Sequence, residues 1–235
     1  MADRAVQAGV LDATESEGAG EHDGPLSQRA YDAIFTAIQS GRLKPGSRIR
    51  EAELTGWLSM SRTPLRDALQ RLESEGLLHL QSHRGIRIAE LDTQAITELY
   101  TAREWAEGAA ASLAARNASP AEIATLRHIL ALEREAVDDP SAGARLNRDL
   151  HGIIRDCCRN RYLIAELKSL SALLALVGNA TRRSAGRVKE AADEHAALVE
   201  AIAAGDALAA ERCARAHIQA AQRFVLTSRI RAASA

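Results

Sequence analysis

Aromatic side chains are scarce in this 235-residue chain: two Trp, three Tyr and two Phe make up 3% of it. Ala and Leu carry the apolar content instead, a composition that suits helices packed on helices rather than the faces of a β-sandwich. Cysteine is scarce as well. Cys157, Cys158 and Cys213 are odd in number, two of them adjacent, with no C-x-x-C spacing. Reduced, partly buried thiols fit that pattern better than a disulfide framework or a redox sensor. No run of about 18 uncharged apolar residues occurs, so no transmembrane helix and no membrane partner are expected. The N-terminus has no apolar core of the signal-peptide kind, so the chain reads as cytoplasmic.

The charge lacks a dominant sign, with a formal net of -1, but its distribution is uneven. Residues 1–24 hold six acids against one Arg among small polar residues, too little apolar material for a core, so a disordered tail is expected there. Residues 42–87 reverse the balance, with nine Lys or Arg against five acids. A locally basic domain within a neutral chain points toward a polyanionic partner.

Apolar spacing predicts a first helix over 27–40, with Tyr31, Ile34, Phe35 and Ile38 on one face and Gly41 as its stop. The turn Leu43-Lys44-Pro45-Gly46-Ser47 leads to a short helix over 51–58. A third helix begins after Ser61, a residue type suited to capping, with Pro64 in its first turn, and ends at Gly76. Leu78 and Leu80, then Ile86 and Ile88, alternate with polar residues around Gln81–Gly85, the pattern of a small β-hairpin. From Asp92 onward the periodicity is helical, with helices expected over 92–116, 119–137, 141–158, 160–183, 187–204 and 205–229. The expected architecture is mostly α: a winged helix-turn-helix over 25–90 followed by a six-helix antiparallel bundle over 91–230.

The third helix carries the functional reading. Leu65, Leu69 and Leu72 make its buried stripe, and Arg62, Arg66 and Gln70 lie on a neighbouring stripe. Guanidinium forks at a helix N-terminus match phosphate and the O6/N7 edge of guanine, and Gln matches adenine. Arg84 at the hairpin tip suits a minor groove or a phosphate. Read alone, Arg62 and Arg66 fit a solvated helix face somewhat better; the ordered sequence of elements favours DNA. The stretch from Tyr31 to Ile88, with its G-x-L-x-P-G turn and the run SRTPLRDAL-x-RLE-x-EGL, closely resembles the DNA-binding domain of the GntR family. That resemblance implies operator contacts from Ser61, Arg62, Thr63, Arg66 and Gln70, and from Arg84 and Gly85 of the wing. Two positions depart from the family pattern. Leu58-Ser59-Met60 stands where Leu-Gly-Val is usual, and Ala52 where some members carry Arg.

Histidine sorts the second half. Asn147 precedes His151 by four residues, so both project from one helix face, and His195 and His217 fall on the last two helices. If those helices pack together, three imidazoles and an amide oxygen converge on a metal. Three hydrogen-bonded core histidines are the plainer alternative from spacing alone. The segments Leu99–Glu107, Asn147–His151 and Glu194–His217 resemble the FCD ligand-binding domain of the FadR subfamily, and six helices resemble its VanR-like branch. In such domains an Asp and three His hold a divalent ion, so the resemblance implies Asn147, His151, His195 and His217 as ligands of Zn²⁺ or Ni²⁺, with Asn in place of the Asp. Asp149 points nearly the opposite way and does not substitute. The resemblance also implies that Arg103 forks onto a small organic acid, unless it is an i,i+4 ion pair with Glu107.

The resulting expectation is a regulator, more often a repressor in this family, that binds palindromic double-stranded operator DNA as a homodimer and responds to a carboxylate. A regulator with the ion itself as signal, and a metal-dependent hydrolase, are the alternatives; no catalytic residue stands out in the sequence.

Overall fold

The computed structural model describes residues 25–81, 85–136, 138–177 and 185–233. The expected N-terminal tail lies outside them. The described residues form two compact units, one within 25–91 together with 172–177 and one within 92–171 together with 185–233.

The first unit contains α1 (Leu26–Ser40), β1 (Arg48–Ile49), α2 (Glu51–Leu58), α3 (Arg62–Ser74), β2 (Leu78–Gln81) and β3 (Gly85–Ile88). In α1, Ala30, Tyr31, Ile34, Ala37 and Ile38 recur at helical spacing and are buried. They face Leu65, Ala68, Leu69 and Leu72 of α3, the expected stripe with one alanine added. The Tyr31 hydroxyl donates to Glu75, and the Arg71 guanidinium lies 3.9 Å over the Tyr31 ring, fixing α1 against the end of α3.

The hairpin is present but belongs to a three-stranded antiparallel sheet of order β1-β3-β2. Ile49 of β1 stands opposite Ile86, and Leu78 of β2 opposite Ile88. Two residues are too few to show a period of two, which is why β1 escapes a pattern reading. Leu80 departs from the expected alternation, because the strand outruns the core there and leaves the residue 39% exposed. Gly85 sits at φ +84, and a Cβ on it would come within 3.0 Å of the Ile49 carbonyl oxygen, so the close approach of β1 requires glycine.

Ser61 occupies the N-cap of α3 with extended backbone, but its side chain makes no capping hydrogen bond, contrary to the capping role expected of it. The turn before it carries a cost: Ser59, where the family has glycine, adopts the left-handed conformation (φ 50, ψ 41).

Six helices are present from residue 92 onward among the described residues: α4 (Thr93–Asn117), α5 (Pro120–Glu135), α6 (Pro140–Cys157), α7 (Arg161–Leu173, its last two residues falling in the first unit), α8 (Ala185–Ala203) and α9 (Ala207–Ala233). Local chemistry starts several of them. Asp92 caps α4 through the Ala95 amide, and Ser119 and Glu122 form a reciprocal capping box at α5. Helices α4 and α9 run antiparallel over a long seam, with Glu104 accepting from Arg215 and Gln219 and with Gln222 donating to the Thr97 carbonyl. The core comprises Ala111, Ala114, Leu126, Leu150, Ile154, Val199 and Ile202 among others. Burial pushes the Cys157 thiol up to about 11, which makes it an inert core residue.

One helix differs from expectation. The fourth of this unit stops at Leu173 instead of residue 183, and a 3-10 turn, Leu174–Leu176, follows. The leucine-rich sequence contains no breaker before Gly178. Tertiary packing ends the helix: Ala175 and Leu176 are buried in the core of the first unit. No helix among the described residues is long and apolar enough to cross a membrane.

Ser59 gives the fold its test. Ser59→Gly removes the side-chain penalty of a left-handed residue and is expected to stabilise the first unit by about 1 kcal/mol, read as a raised urea midpoint at unchanged slope.

Candidate nucleic-acid interface and metal centre

Arg62, Thr63, Arg66 and Gln70 are all exposed on α3, as is Ser61 at its head, while the leucine stripe is at most 2% exposed. Arg66 is engaged: its Nε donates to Glu51 Oε1 at 3.1 Å, with side-chain exposures of 63% and 33%. An exposed pair of that kind contributes under about 1 kcal/mol and exchanges readily for a phosphate or base edge. Glu51 therefore steers Arg66 without locking it, a role that the sequence reading missed. Glu51, Arg66, Gln70, Gln81 and Gly85 line a cavity of about 490 Å³ between α3 and the hairpin. Arg84 lies outside the described residues.

The second unit brings the three histidines together. His151 on α6, His195 on α8 and His217 on α9 place ligand nitrogens within 4.8 Å of one another, with ring centroids 4.6–5.4 Å apart. Each ring is held from behind by a carboxylate. His151 Nδ1 lies 3.3 Å from Glu107, His195 Nδ1 2.9 Å from Glu133, and His217 Nδ1 2.7 Å from Glu194. Three carboxylates acting as acceptors for Nδ1–H leave the three Nε2 lone pairs facing inward.

Burial keeps the lone pairs of His195 and His217 available. Burial lowers the His195 pKa despite the Glu133 hydrogen bond, and burial followed by charge at His195 and His151 lowers His217 well below the ordinary range. Neutral imidazole is the ligand form. Burial alone would raise Glu107, but the charge and hydrogen bond of His151, with Arg103 behind them, hold its carboxyl well below the usual range.

Two observations test the fit to a metal. His195 Nε2 is buried with no hydrogen-bond partner, an orphan that a metal would satisfy. His151 Nε2 and His217 Nε2 are 3.3 Å apart, close to the roughly 3.3 Å that two nitrogens span in a tetrahedral zinc site. The donor set fits a divalent ion of the Zn²⁺ or Ni²⁺ kind. Asn147 lies one turn before His151 and is half-buried, whereas Asp149 is exposed on the opposite side. His79 and His128 are exposed and stand apart from the cluster.

Arg103 satisfies one of its two expected readings directly. Its Nη2 bonds Glu107 at 3.0 Å, and both side chains are at most 7% exposed. Its Nε is buried without a partner, so donor capacity remains. Glu133, Glu194 and Arg187 were not foreseen. Arg187 is 4% exposed and grips Glu194 through two nitrogens, at 2.9 and 2.7 Å. Glu133 sits in a charged run, and Glu194 is next to His195 yet serves His217. Neither has a spacing signal, because each partner comes from a different helix.

Two exposed arginines heading a buried-stripe helix beside a wing, and a separate helical unit built around inward-facing imidazoles, define a DNA-binding regulator with a ligand-type second domain. Comparison with known proteins makes this specific. Residues 26–88 match the bacterial regulatory proteins of the gntR family, and residues 98–220 match the FCD domain. The chain belongs to the FCD-bearing GntR transcription regulators.

It is 37% identical over 134 residues to the Nta operon transcriptional regulator of Aminobacter aminovorans, a match covering 56% of this chain and 63%, under two thirds, of that relative. It is 28% identical over 197 residues to the probable D-xylose utilization operon transcriptional repressor of Paenarthrobacter nicotinovorans, covering 83% and 86%. The solved structure of E. coli McbR/YncC shares the fold, with a TM-score of 0.78 at 22% identity over 87% of this chain and 99% of that one. These relatives are regulators, not enzymes.

The Arg103–Glu107 pair is buried enough for its partners to need each other. Glu107→Ala leaves a buried guanidinium without its carboxylate and is expected to cost about 3–5 kcal/mol in urea unfolding, whereas the exposed Glu51→Gln costs under about 1 kcal/mol.

Proposed function

We propose that this protein is a cytoplasmic, homodimeric operator-binding repressor whose helical domain binds a small organic acid beside a divalent metal. The observation that carries the reading is the convergence of three imidazoles whose Nδ1 atoms are already bound to carboxylates. His151, His195 and His217 would hold the ion, with the Asn147 amide oxygen as the fourth donor. Asn in place of a carboxylate leaves the donor set one negative charge poorer, which weakens binding and favours an anion at the remaining position. A bound divalent ion supplies an open coordination position for a carboxylate oxygen.

Arg103 would take the other end of that ligand. Its guanidinium is buried, anchored through Nη2 to Glu107 and unpartnered at Nε, so it is preorganised for a second hydrogen bond. Since Glu107 also bonds His151, one carboxylate ties the anion fork to a ligand imidazole. Ligand binding then biases the dimer between DNA-competent and incompetent states through its different affinity for each. In the DNA-binding unit, Arg62 and Arg66 would read base edges, Ser61, Thr63 and Gln70 would flank them, and Arg84 and Gly85 would bring the wing to the groove. Two-fold symmetry then asks for a palindrome with half-sites one helical turn apart. The repressor sense follows the name of the Paenarthrobacter relative.

Arg62→Ala and Arg66→Ala are each expected to weaken binding to the gene's own upstream region by about 1–3 kcal/mol, measured by anisotropy at fixed salt; unchanged affinity in both contradicts the assignment. Glu133→Gln is expected to weaken Zn²⁺ affinity about 10–100-fold in a chelator competition, and His195→Ala more, each with the folded dimer retained. Equal, negligible metal in wild type and His195→Ala would make the cluster structural. Operator affinity titrated with Zn²⁺ or Ni²⁺, with and without carboxylic acids, separates an acid-responsive regulator from one that reads the ion alone.

A further inference from the structure

A carboxylate stands on the face that exposes the arginines of α3. Glu51 is the first residue of α2, and it lines the cavity beside α3 together with Arg66 and Gln70. Helix initiation does not need it. The capping box at that end is closed by Glu53, whose Oε2 accepts from the Arg50 amide at 3.0 Å. An acid at this place weakens the general attraction to a polyanion, so it favours selectivity over grip.

The hydrogen bonds define its effect on Arg66. Nε donates to Glu51 Oε1 at 3.1 Å and Nη2 to Oε2 at 3.5 Å, so the carboxylate lies along the Nε–Nη2 edge of the guanidinium. A guanidinium carries five N–H donors in a rigid fork. That edge takes up two of them. The Nη1–Nη2 end keeps the pair of donors that matches O6 and N7 of guanine. Arg62, one turn earlier on α3, has no ion pair among the described residues. In the free protein the Glu51–Arg66 pair is exposed and weak. Docking against a groove displaces water from it, and the attraction strengthens as the local dielectric falls.

We propose that Glu51 is a positioning residue for base choice: it acts through Arg66, holding the guanidinium end-on toward a guanine and keeping it from the nearest phosphate. This role rests on Arg66 reading a base edge. Removing Glu51 then has opposite effects on two components of binding. Grip on any duplex rises, because a negative charge is gone and Arg66 is free to take a phosphate. Choice at one G·C pair falls, because the fork has lost its fixed aim.

Fluorescence anisotropy on the full chain, over a range of salt, tests this with three kinds of duplex. They are the gene's own upstream region, a scrambled duplex of equal length and composition, and single-pair variants of the upstream region with G·C replaced by A·T. The wild type is expected to lose about 10–100-fold at the pair that Arg66 reads, recognised as the replacement that adds nothing to Arg66→Ala. Glu51→Ala is expected to cut that loss to under about five-fold and to tighten binding to the scrambled duplex by about two- to ten-fold. It is also expected to steepen the slope of log K against log salt by about one. The steeper slope is expected to vanish in an Arg66→Ala background and to persist in an Arg62→Ala background. An unchanged loss at that pair in Glu51→Ala, or weaker binding to both the upstream and the scrambled duplex, overturns the role of Glu51 and leaves Arg66 as a reader. A slope change that survives without Arg66 overturns it as well. Wild-type affinity of Arg66→Ala for the upstream region overturns the base reading itself, and this role with it.

Discussion

Three carboxylate–imidazole hydrogen bonds organise the second unit. Glu107, Glu133 and Glu194 come from α4, α5 and α8, and the rings they hold come from α6, α8 and α9. Five of the six helices are thus tied to one point by polar contacts that a low-dielectric interior makes strong and costly to leave unmade. Rings fixed at Nδ1 have a fixed tautomer and a fixed aim, and three Nε2 atoms are turned toward one another. An apolar core of the same volume would be simpler to build. Retaining three buried imidazoles with an orphaned nitrogen makes sense where an external partner completes the set, which is the basis of the proposed metal.

Helix α4 joins the levels of organisation. It is capped by Asp92 directly after the winged unit, it carries Arg103 and Glu107 to the histidines, and its alanines receive α7. Small residues at Ala106, Ala110 and Ala114 let neighbouring helices approach closely. The DNA-binding unit carries complementary features. Its reading helix is buried along one stripe and exposes its arginines, while Tyr31, Arg71 and Glu75 pin its far end to α1.

Much of this architecture was legible in the sequence because it depends on local signals. The stripe of Leu65, Leu69 and Leu72, the stop at Gly41 and the punctuation at Pro120 and Gly205 follow from helical periodicity and backbone chemistry, and the boundaries of the first, second and third helices came close. The three histidines were singled out by residue type and helical context, and their meeting depended on the packing of three helices. What stayed hidden is non-local. Strand β1 is too short for a pattern; Glu133 and Glu194 act on rings contributed by other helices; the end of α7 at Leu173 is set by a core more than eighty residues earlier in the chain. The Glu51–Arg66 pair needed the relative placement of two helices that spacing does not give.

The inward-facing Nε2 atoms are the heart of the proposed site, and X-ray absorption at the zinc edge of protein loaded with one equivalent of Zn²⁺ addresses them most directly. Three nitrogen neighbours at about 2.0–2.1 Å, with the multiple-scattering signature of imidazole and one or two further oxygens, are the predicted result. A shell of oxygens alone, or one containing sulfur, would place the ion elsewhere and contradict the account.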